Sequence, residues 1–127
     1  MYLLDSSAII EILGDSEIGK KIVHLVGESL VCTTSFSLYE ILLGVSHKDK
    51  ERISQFFSSI DILYFDARAA EFSVGIEKEL VRSGKLINKV DIFIAGICKF
   101  HNKTVISLDF DFKKIEGLKT VILNKNK

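Results

Sequence analysis

Five acidic side chains in this 127-residue chain stand at strand ends or inside helices, where their types and spacing could bind a metal ion. Asp5 follows an apolar run at residues 2–4, and Asp91 lies in the most apolar helix expected in the chain, where an unpaired carboxylate carries a large desolvation cost. The five acids are Asp5, Glu40, Asp91, Asp109 and Asp111.

Each acid also has an ordinary structural explanation, and the local pattern leaves both explanations open. Asp5 and Asp91 could be N-caps of the helices they precede or begin. Glu40 follows Ser37 at the spacing of a capping box. The acids at residues 109 and 111 could be loop acids at a strand exit. If the strand continues through them, their alternation places both side chains on one face.

Taken together, the acids indicate a metal site. Two carboxylates about 4 Å apart repel each other by roughly 4 kcal/mol at an effective dielectric of 20, so a cluster of them requires a cation. Oxygen ligands without an accompanying His or Cys suit Mg²⁺ or Mn²⁺. A carboxylate site that leaves coordination positions for water and a phosphate is suited to metal-assisted phosphodiester hydrolysis.

Strands alternating with helices must position these acids. Short apolar runs predict strands at residues 2–4, 30–33, 60–65, 104–108 and 120–123. Helical spacing and capping residues predict helices at residues 7–13, 16–26, 36–43, 49–58, 66–82 and 90–100. The alternation predicts an α/β fold with a central, mainly parallel sheet, whose strands end at one edge. Without a proline, linker or repeat, we expect one domain over residues 1–127.

Composition excludes several classes of protein. A hydrophobic fraction of 47% with 27% charged residues excludes disorder as the dominant state. Cys32 and Cys98 lie in separate apolar runs and the three histidines lack zinc-site spacing, which argues against a disulfide scaffold or a structural zinc site. The acid at residue 5 does not fit a signal peptide, and no apolar run approaches the ~20 residues of a membrane span. We expect a soluble, cytoplasmic protein with no membrane association.

The formal net charge of zero conceals an uneven distribution. Residues 1–77 carry 6 basic and 12 acidic side chains, whereas residues 78–127 carry 11 basic and 5 acidic ones. Once a cation balances the acids of the metal site, the C-terminal part offers a surface for a phosphate backbone. Ordinary solvation of helix faces is the other explanation of these charges. The candidate contacts are Lys78, Arg82, Lys85, Lys89, Lys113 and Lys114.

Four segments that contain the acids resemble, in order and spacing, the PIN-domain ribonucleases, and within them the VapC-like toxins of prokaryotic toxin–antitoxin pairs. The segments are LLDSSAII at residues 3–10, SLYEILLG at 37–44, GKLINKVDIFIA at 84–95 and VISLDFDF at 105–112. Each alone is weak, but four in order across the chain are specific. One departure is Leu108, which is apolar where the family often has a polar residue, and this puts a substrate contact near the site in doubt.

The resemblance implies a three-layer α/β/α fold, Mg²⁺- or Mn²⁺-dependent cleavage of single-stranded or structured RNA, a homodimer and a protein antitoxin that covers the site. It assigns metal binding and catalysis to the acids at residues 5, 40, 91 and 109, with Asp111 as a more variable acid. Ser7 and Ser107 match supporting positions beside the acids. The RNA-binding candidates remain those of the basic C-terminal part.

Two alternatives remain open at this point. A receiver-type phosphoacceptor domain is also α/β with carboxylates and Mg²⁺ at strand ends, but it needs an acidic pair after the first strand and a phosphorylatable Asp after the third. The chain has Asp5 followed by two serines at the first place, and Asp66 is expected to begin a helix at the second. The other alternative is an RNA-processing PIN nuclease that is not a toxin.

Overall fold

A computed structural model describes residues 1–125 of the chain. Residues 126 and 127, the end of the domain expected over residues 1–127, lie outside the described part. The strands are β1 (Tyr2–Leu4), β2 (Val31–Thr34), β3 (Asp61–Leu63), β4 (Thr104–Ser107) and β5 (Thr120–Ile122). The helices are α1 (Ser6–Leu13), α2 (Glu17–Val26), α3 (Ser35–Gly44), α4 (Lys50–Ser58), α5 (Ala67–Ser83) and α6 (Lys89–Phe100), with short 3₁₀ helices at His47–Asp49 and Phe110–Lys114.

The strands form one sheet in the order β3-β2-β1-β4-β5, and every neighbouring pair is parallel. The chain moves outward from β1 to β3 and then crosses to β4 on the other side of β1. This reversal leaves a crevice beyond the carboxyl ends of β1 and β4, which is where open α/β sheets bind their ligands. Asp5 and Asp109 follow these two strands.

Helices cover both faces of the sheet with separate apolar cores. One core joins the sheet to α5 and α6 through residues such as Leu80 and Ile97. The other joins it to α1, α2 and α4 through residues such as Ile9, Ile22 and Ile53. The expected α/β/α arrangement of three layers with a parallel sheet is therefore confirmed.

A close approach between α5 and α6 holds the helix that carries Asp91. Ser73 on α5 is buried, and its hydroxyl donates to the carbonyl oxygen of Ala69 over 2.8 Å. A Cβ atom added to Gly96 on α6 would lie 2.0 Å from the Ser73 Oγ and 2.7 Å from that carbonyl oxygen. Because such distances are impossible, only glycine permits this spacing of the two helices.

Three strands, β3, β4 and β5, are shorter than their apolar runs predict, and β5 ends at Ile122, one residue before the end of its predicted run. β3 ends at Leu63 because the chain then leaves the sheet before Asp66 caps α5. β4 ends at Ser107, so the strand does not continue through residues 109 and 111, and strand alternation is not what positions these two acids. Asp109 instead caps the following 3₁₀ helix, and its Oδ1 accepts a hydrogen bond from the Asp111 amide over 2.9 Å.

Within residues 1–125, no helix combines the length and the apolar character that crossing a membrane requires. Cys32 and Cys98 are both buried free thiols. His24 and His47 are exposed and His101 is half-buried.

Candidate metal centre

Three half-buried acids meet at the carboxyl edge of the sheet. Carboxylate oxygens of Asp91, Asp109 and Asp111 lie within 4.8 Å of one another. Asp91 comes from the first turn of α6, and the other two come from the turn after β4. The crevice between β1 and β4 thus brings together acids that are up to 20 residues apart in the chain.

Asp5 lies beside this cluster and is held firmly in place. It is 6% exposed and is the N-cap of α1, so its structural role and its place in the site coexist. Its Oδ1 accepts hydrogen bonds from the Ala8 amide over 3.0 Å and the Ser7 hydroxyl over 2.7 Å, and its Oδ2 accepts one from the Ser107 hydroxyl. Burial raises the pKa of Asp5, and the charge of Asp109 adds to this, whereas the hydrogen bonds oppose it.

The two serines join the exit of β4 to the start of α1. The Ser7 Oγ accepts a hydrogen bond from the Leu108 amide over 3.0 Å, and the Ser107 Oγ accepts one from the Asp109 amide over 2.9 Å. The two hydroxyl oxygens are 3.3 Å apart. Each serine therefore contacts Asp5 and also fixes the backbone that leads to Asp109.

Asp91 carries the clearest sign of crowded negative charge. Burial first, and then the negative charges of Asp109, Asp5 and Glu40, raise the pKa of Asp91 to about 7. The N-cap of α6 is Asn88, whose Oδ1 accepts from the Val90 amide over 2.8 Å, so the alternative that Asp91 caps this helix is wrong.

Glu40 faces the cluster from an exposed position on α3. The Ser6 hydroxyl donates to its Oε1 over 3.1 Å, a contact between α1 and α3 that no local pattern signals, because the two residues are 34 positions apart. The capping-box alternative is wrong, since Thr34 caps α3 and accepts from the Ser37 amide over 3.2 Å. Within residues 1–125, the buried Ser37 hydroxyl has no hydrogen-bond partner.

The donor set fits a hard divalent cation. Every group in the cluster is a carboxylate, and the ion pair at the cluster is Lys114 with Asp111 at 2.9 Å. Burial first, and then the negative charges of the neighbouring acids, penalise the charged form of Asp91, and a bound cation would relieve both effects. Several carboxylate oxygens without imidazole or thiolate suit Mg²⁺ or Mn²⁺ better than zinc or copper.

The basic residues predicted to contact RNA lie on α5, at the start of α6, in the loop between them and in the 3₁₀ helix. Arg82 pairs with Glu79, and Lys89 pairs with Glu77 at 2.7 Å. Across residues 1–125, Lys85 and Lys113 form no ion pair. Exposed pairs of this kind contribute little stability and leave their cations available, so RNA contact by these residues stays a prediction.

Asp66 has a structural role at the end of the third strand. It is the N-cap of α5, and its Oδ1 accepts from the Ala69 amide over 2.9 Å. A receiver-type domain would need a free acceptor carboxylate there, so this geometry argues against that alternative.

Comparisons with known proteins agree with the geometry. The tRNA(fMet)-specific endonuclease VapC of Shigella flexneri is 26% identical over 125 residues, which cover 94% of this chain and 95% of that protein. The crystal structure of DNA-bound VapBC from Salmonella typhimurium matches with a TM-score of 0.81 and 25% identity, covering 95% of this chain and 96% of that chain. VapBC2 from Rickettsia felis, bound to a fragment of promoter DNA, matches in fold with a TM-score of 0.84 and 21% identity, covering 97% of this chain and 98% of that chain.

The PIN domain, as a sequence family, matches residues 2–118. A family match over this span excludes the receiver-type alternative. The chain belongs to the PIN-domain family, and within that family it is similar to VapC proteins.

Proposed function

We propose that this chain is a metal-dependent endoribonuclease and the toxin of a toxin–antitoxin pair. The observation that carries the proposal is the convergence of three carboxylates within 4.8 Å beside the buried Asp5, at the crevice of a parallel sheet. Similarity to an endonuclease over nearly the whole of both chains supports the activity.

Asp5, Asp91 and Asp109 would hold the cation, and Asp111 is the fourth acid that the geometry favours as a ligand. Ser7 and Ser107 orient Asp5 and the Asp109 backbone through the hydrogen bonds they make. When bound, Mg²⁺ or Mn²⁺ lowers the pKa of a coordinated water and neutralises charge that develops on a phosphate.

Glu40 has a different role in this proposal. It is exposed, and the Ser6 hydroxyl fixes one of its oxygens, so it is placed to orient the attacking water from the solvent side. The water oxygen bonds to phosphorus while the bond from phosphorus to the 3′ oxygen breaks. The products are therefore a 5′-phosphate and a 3′-hydroxyl.

Similar proteins and the chain's own residues support proposals about its partners and its location. The similar structure from Salmonella typhimurium is a VapBC assembly bound to DNA, which supports a protein antitoxin as partner. We further propose a homodimer, one domain over residues 1–127 and a cytoplasmic location, where buried free thiols stay reduced. The alternative is an RNA-processing PIN nuclease without an antitoxin.

The proposal is tested by incubating the protein with a labelled single-stranded RNA and with transfer RNA in Mg²⁺ or Mn²⁺. We expect cleavage that leaves 5′-phosphates, and its loss in EDTA and in the Asp5→Asn and Asp91→Asn variants. Asp61→Asn, at an exposed acid on the edge strand, is the matched control and should cleave normally. Cyclic phosphate ends, or cleavage that persists in both variants, would contradict the proposed chemistry.

A further inference from the structure

A groove of about 680 Å³ lies next to the turn that carries Asp109 and Asp111, and none of the acids of the cluster lines it. Its apolar lining includes Leu108, Phe110 and Leu123, and its basic lining includes Lys21, Lys113 and Lys125. It lies between the turn after β4, the end of the edge strand β5 and helix α2. This volume falls in the range of ligand pockets, and it is separate from the carboxylates themselves.

The turn after β4 divides its side chains between the two sites. Asp109 and Asp111 join the acidic cluster, while Leu108 and Phe110, which alternate with them along the chain, line the groove. Phe110 is 64% exposed, although it stands between two acids of the candidate metal centre. The exposed face of this ring is therefore accessible to a ligand that stacks on it.

The charge of the groove favours an anionic occupant. Across residues 1–125, neither Lys21 nor Lys113 forms an ion pair, and Lys125 pairs with Glu11 at 3.1 Å. Lysines that line one groove together with an exposed ring are a combination by which proteins hold single-stranded nucleic acid, with a base stacked on the ring and phosphates at the cations.

We propose that this groove is a substrate subsite in which Phe110 stacks on a base next to the scissile phosphate, while Lys21 and Lys113 contact the adjoining phosphates. The inference rests on the proposed ribonuclease function and adds the place and chemistry of substrate binding. It also gives Leu108 a role, since an apolar residue at this position extends the surface on which a base packs.

RNA fits these features better than an acidic peptide does. The groove begins one residue from Asp109, so a strand lying in it passes directly to the acids that would act on it. An acidic peptide would use the lysines, but it would not explain an exposed aromatic ring at the border of the metal centre.

The test measures binding of a fluorescent single-stranded RNA by anisotropy in the Asp91→Asn background, which separates binding from cleavage. Phe110→Ala should weaken binding by about 5- to 150-fold, the range for loss of one stacked base, and Phe110→Trp should restore it. Leu30→Ala is the apolar control, because Leu30 is 81% exposed and precedes β2 at the opposite edge of the sheet.

The lysines are tested by the salt dependence of the same binding. Replacing both Lys21 and Lys113 by Ala should lower the slope of log affinity against log salt by about 1.4, since each phosphate contact on a single strand contributes roughly 0.7. Lys119→Ala is the charge control and should leave the slope unchanged. Lys119 precedes β5, at the end of the strand away from the groove.

Each outcome decides the inference. If the wild-type protein cuts RNA in Mg²⁺ but adding Phe110→Ala to the Asp91→Asn variant does not weaken RNA binding, the subsite is refuted and the ribonuclease function stands. RNA that is neither bound nor cut would overturn both. If the groove substitutions weakened binding of a short acidic peptide and left RNA binding intact, the groove would be a peptide site and the inference wrong.

Discussion

Replacing Asp91 by Asn should stabilise the metal-free protein while removing its activity. The carboxyl group has a pKa of about 7 in the folded chain against an ordinary value of 3.8, because burial and neighbouring acids penalise its charged form. The full difference corresponds to at most about 4 kcal/mol, and partial exposure of the group screens this to about 2 kcal/mol. With an unfolding entropy of about 2.1 cal/mol/K per residue, the melting temperature should rise by about 7 °C.

The sign of the pH dependence makes the prediction specific. An acid whose pKa is raised on folding binds more protons in the folded state than in the unfolded state between pH 4 and 7, so wild-type stability falls as pH rises through this window. The amide introduced by Asp91→Asn cannot titrate, so the advantage of the variant should be absent near pH 4 and complete above pH 7.

Thermal or urea denaturation in EDTA across this pH range provides the measurement. Asp61→Asn, at an exposed acid outside the cluster, is the matched control for the substitution itself. A variant that is less stable than the wild type at pH 8, or an advantage that does not vary with pH, would refute the reasoning that these carboxylates repel one another.

Three further predictions concern the helix packing, the serine bridge and the cation. In urea denaturation, Gly96→Ala should destabilise the fold by about 3 kcal/mol because the added methyl group collides with Ser73. Gly75→Ala should stabilise it by about 0.5–1 kcal/mol, because no atom lies within 4 Å of the added methyl group. Similar effects of the two substitutions would contradict the close approach of α5 and α6. Ser107→Ala should cost about 1–2 kcal/mol and reduce RNA cleavage by releasing Asp5, and Ser107→Thr should retain most of both. Mg²⁺ at ten times its dissociation constant should stabilise the wild type by about 1.4 kcal/mol, measured in thermal melts. If KCl at the same ionic strength raised the melting temperature as much, the result would argue against a specific site.

Local signals account for the parts of the fold that could be predicted from sequence. The run at residues 2–4 stops at an acid and is β1, and α5 begins after the capping Asp66 and ends at Gly84, whose φ of +67° favours glycine. Strand order was not predictable in this way, because it depends on the crossover between distant elements. The 3₁₀ helix after β4 was also missed, since a capping interaction of Asp109 replaces the strand that the apolar run suggests.

The candidate site also has features that local sequence predicts and features that depend on distant elements. The acids could be named because carboxylates stand out at strand exits and in an apolar helix. Their roles as caps could not be decided locally, and Asp5 serves as a cap and also lies at the site. Contacts that depend on tertiary packing, such as Ser6 with Glu40 and Lys89 with Glu77, leave no trace in the pattern.

The most direct test of the central claim is the initial rate of cleavage of a single-stranded RNA by the metal-stripped protein as Mn²⁺ is added. The wild type should show no cleavage without metal and a saturable rise with it. Asp109→Asn, with an unchanged circular dichroism spectrum, should remain inactive at every concentration. Cleavage by the stripped protein, or an Asp109→Asn variant that follows the wild-type curve, would contradict the account.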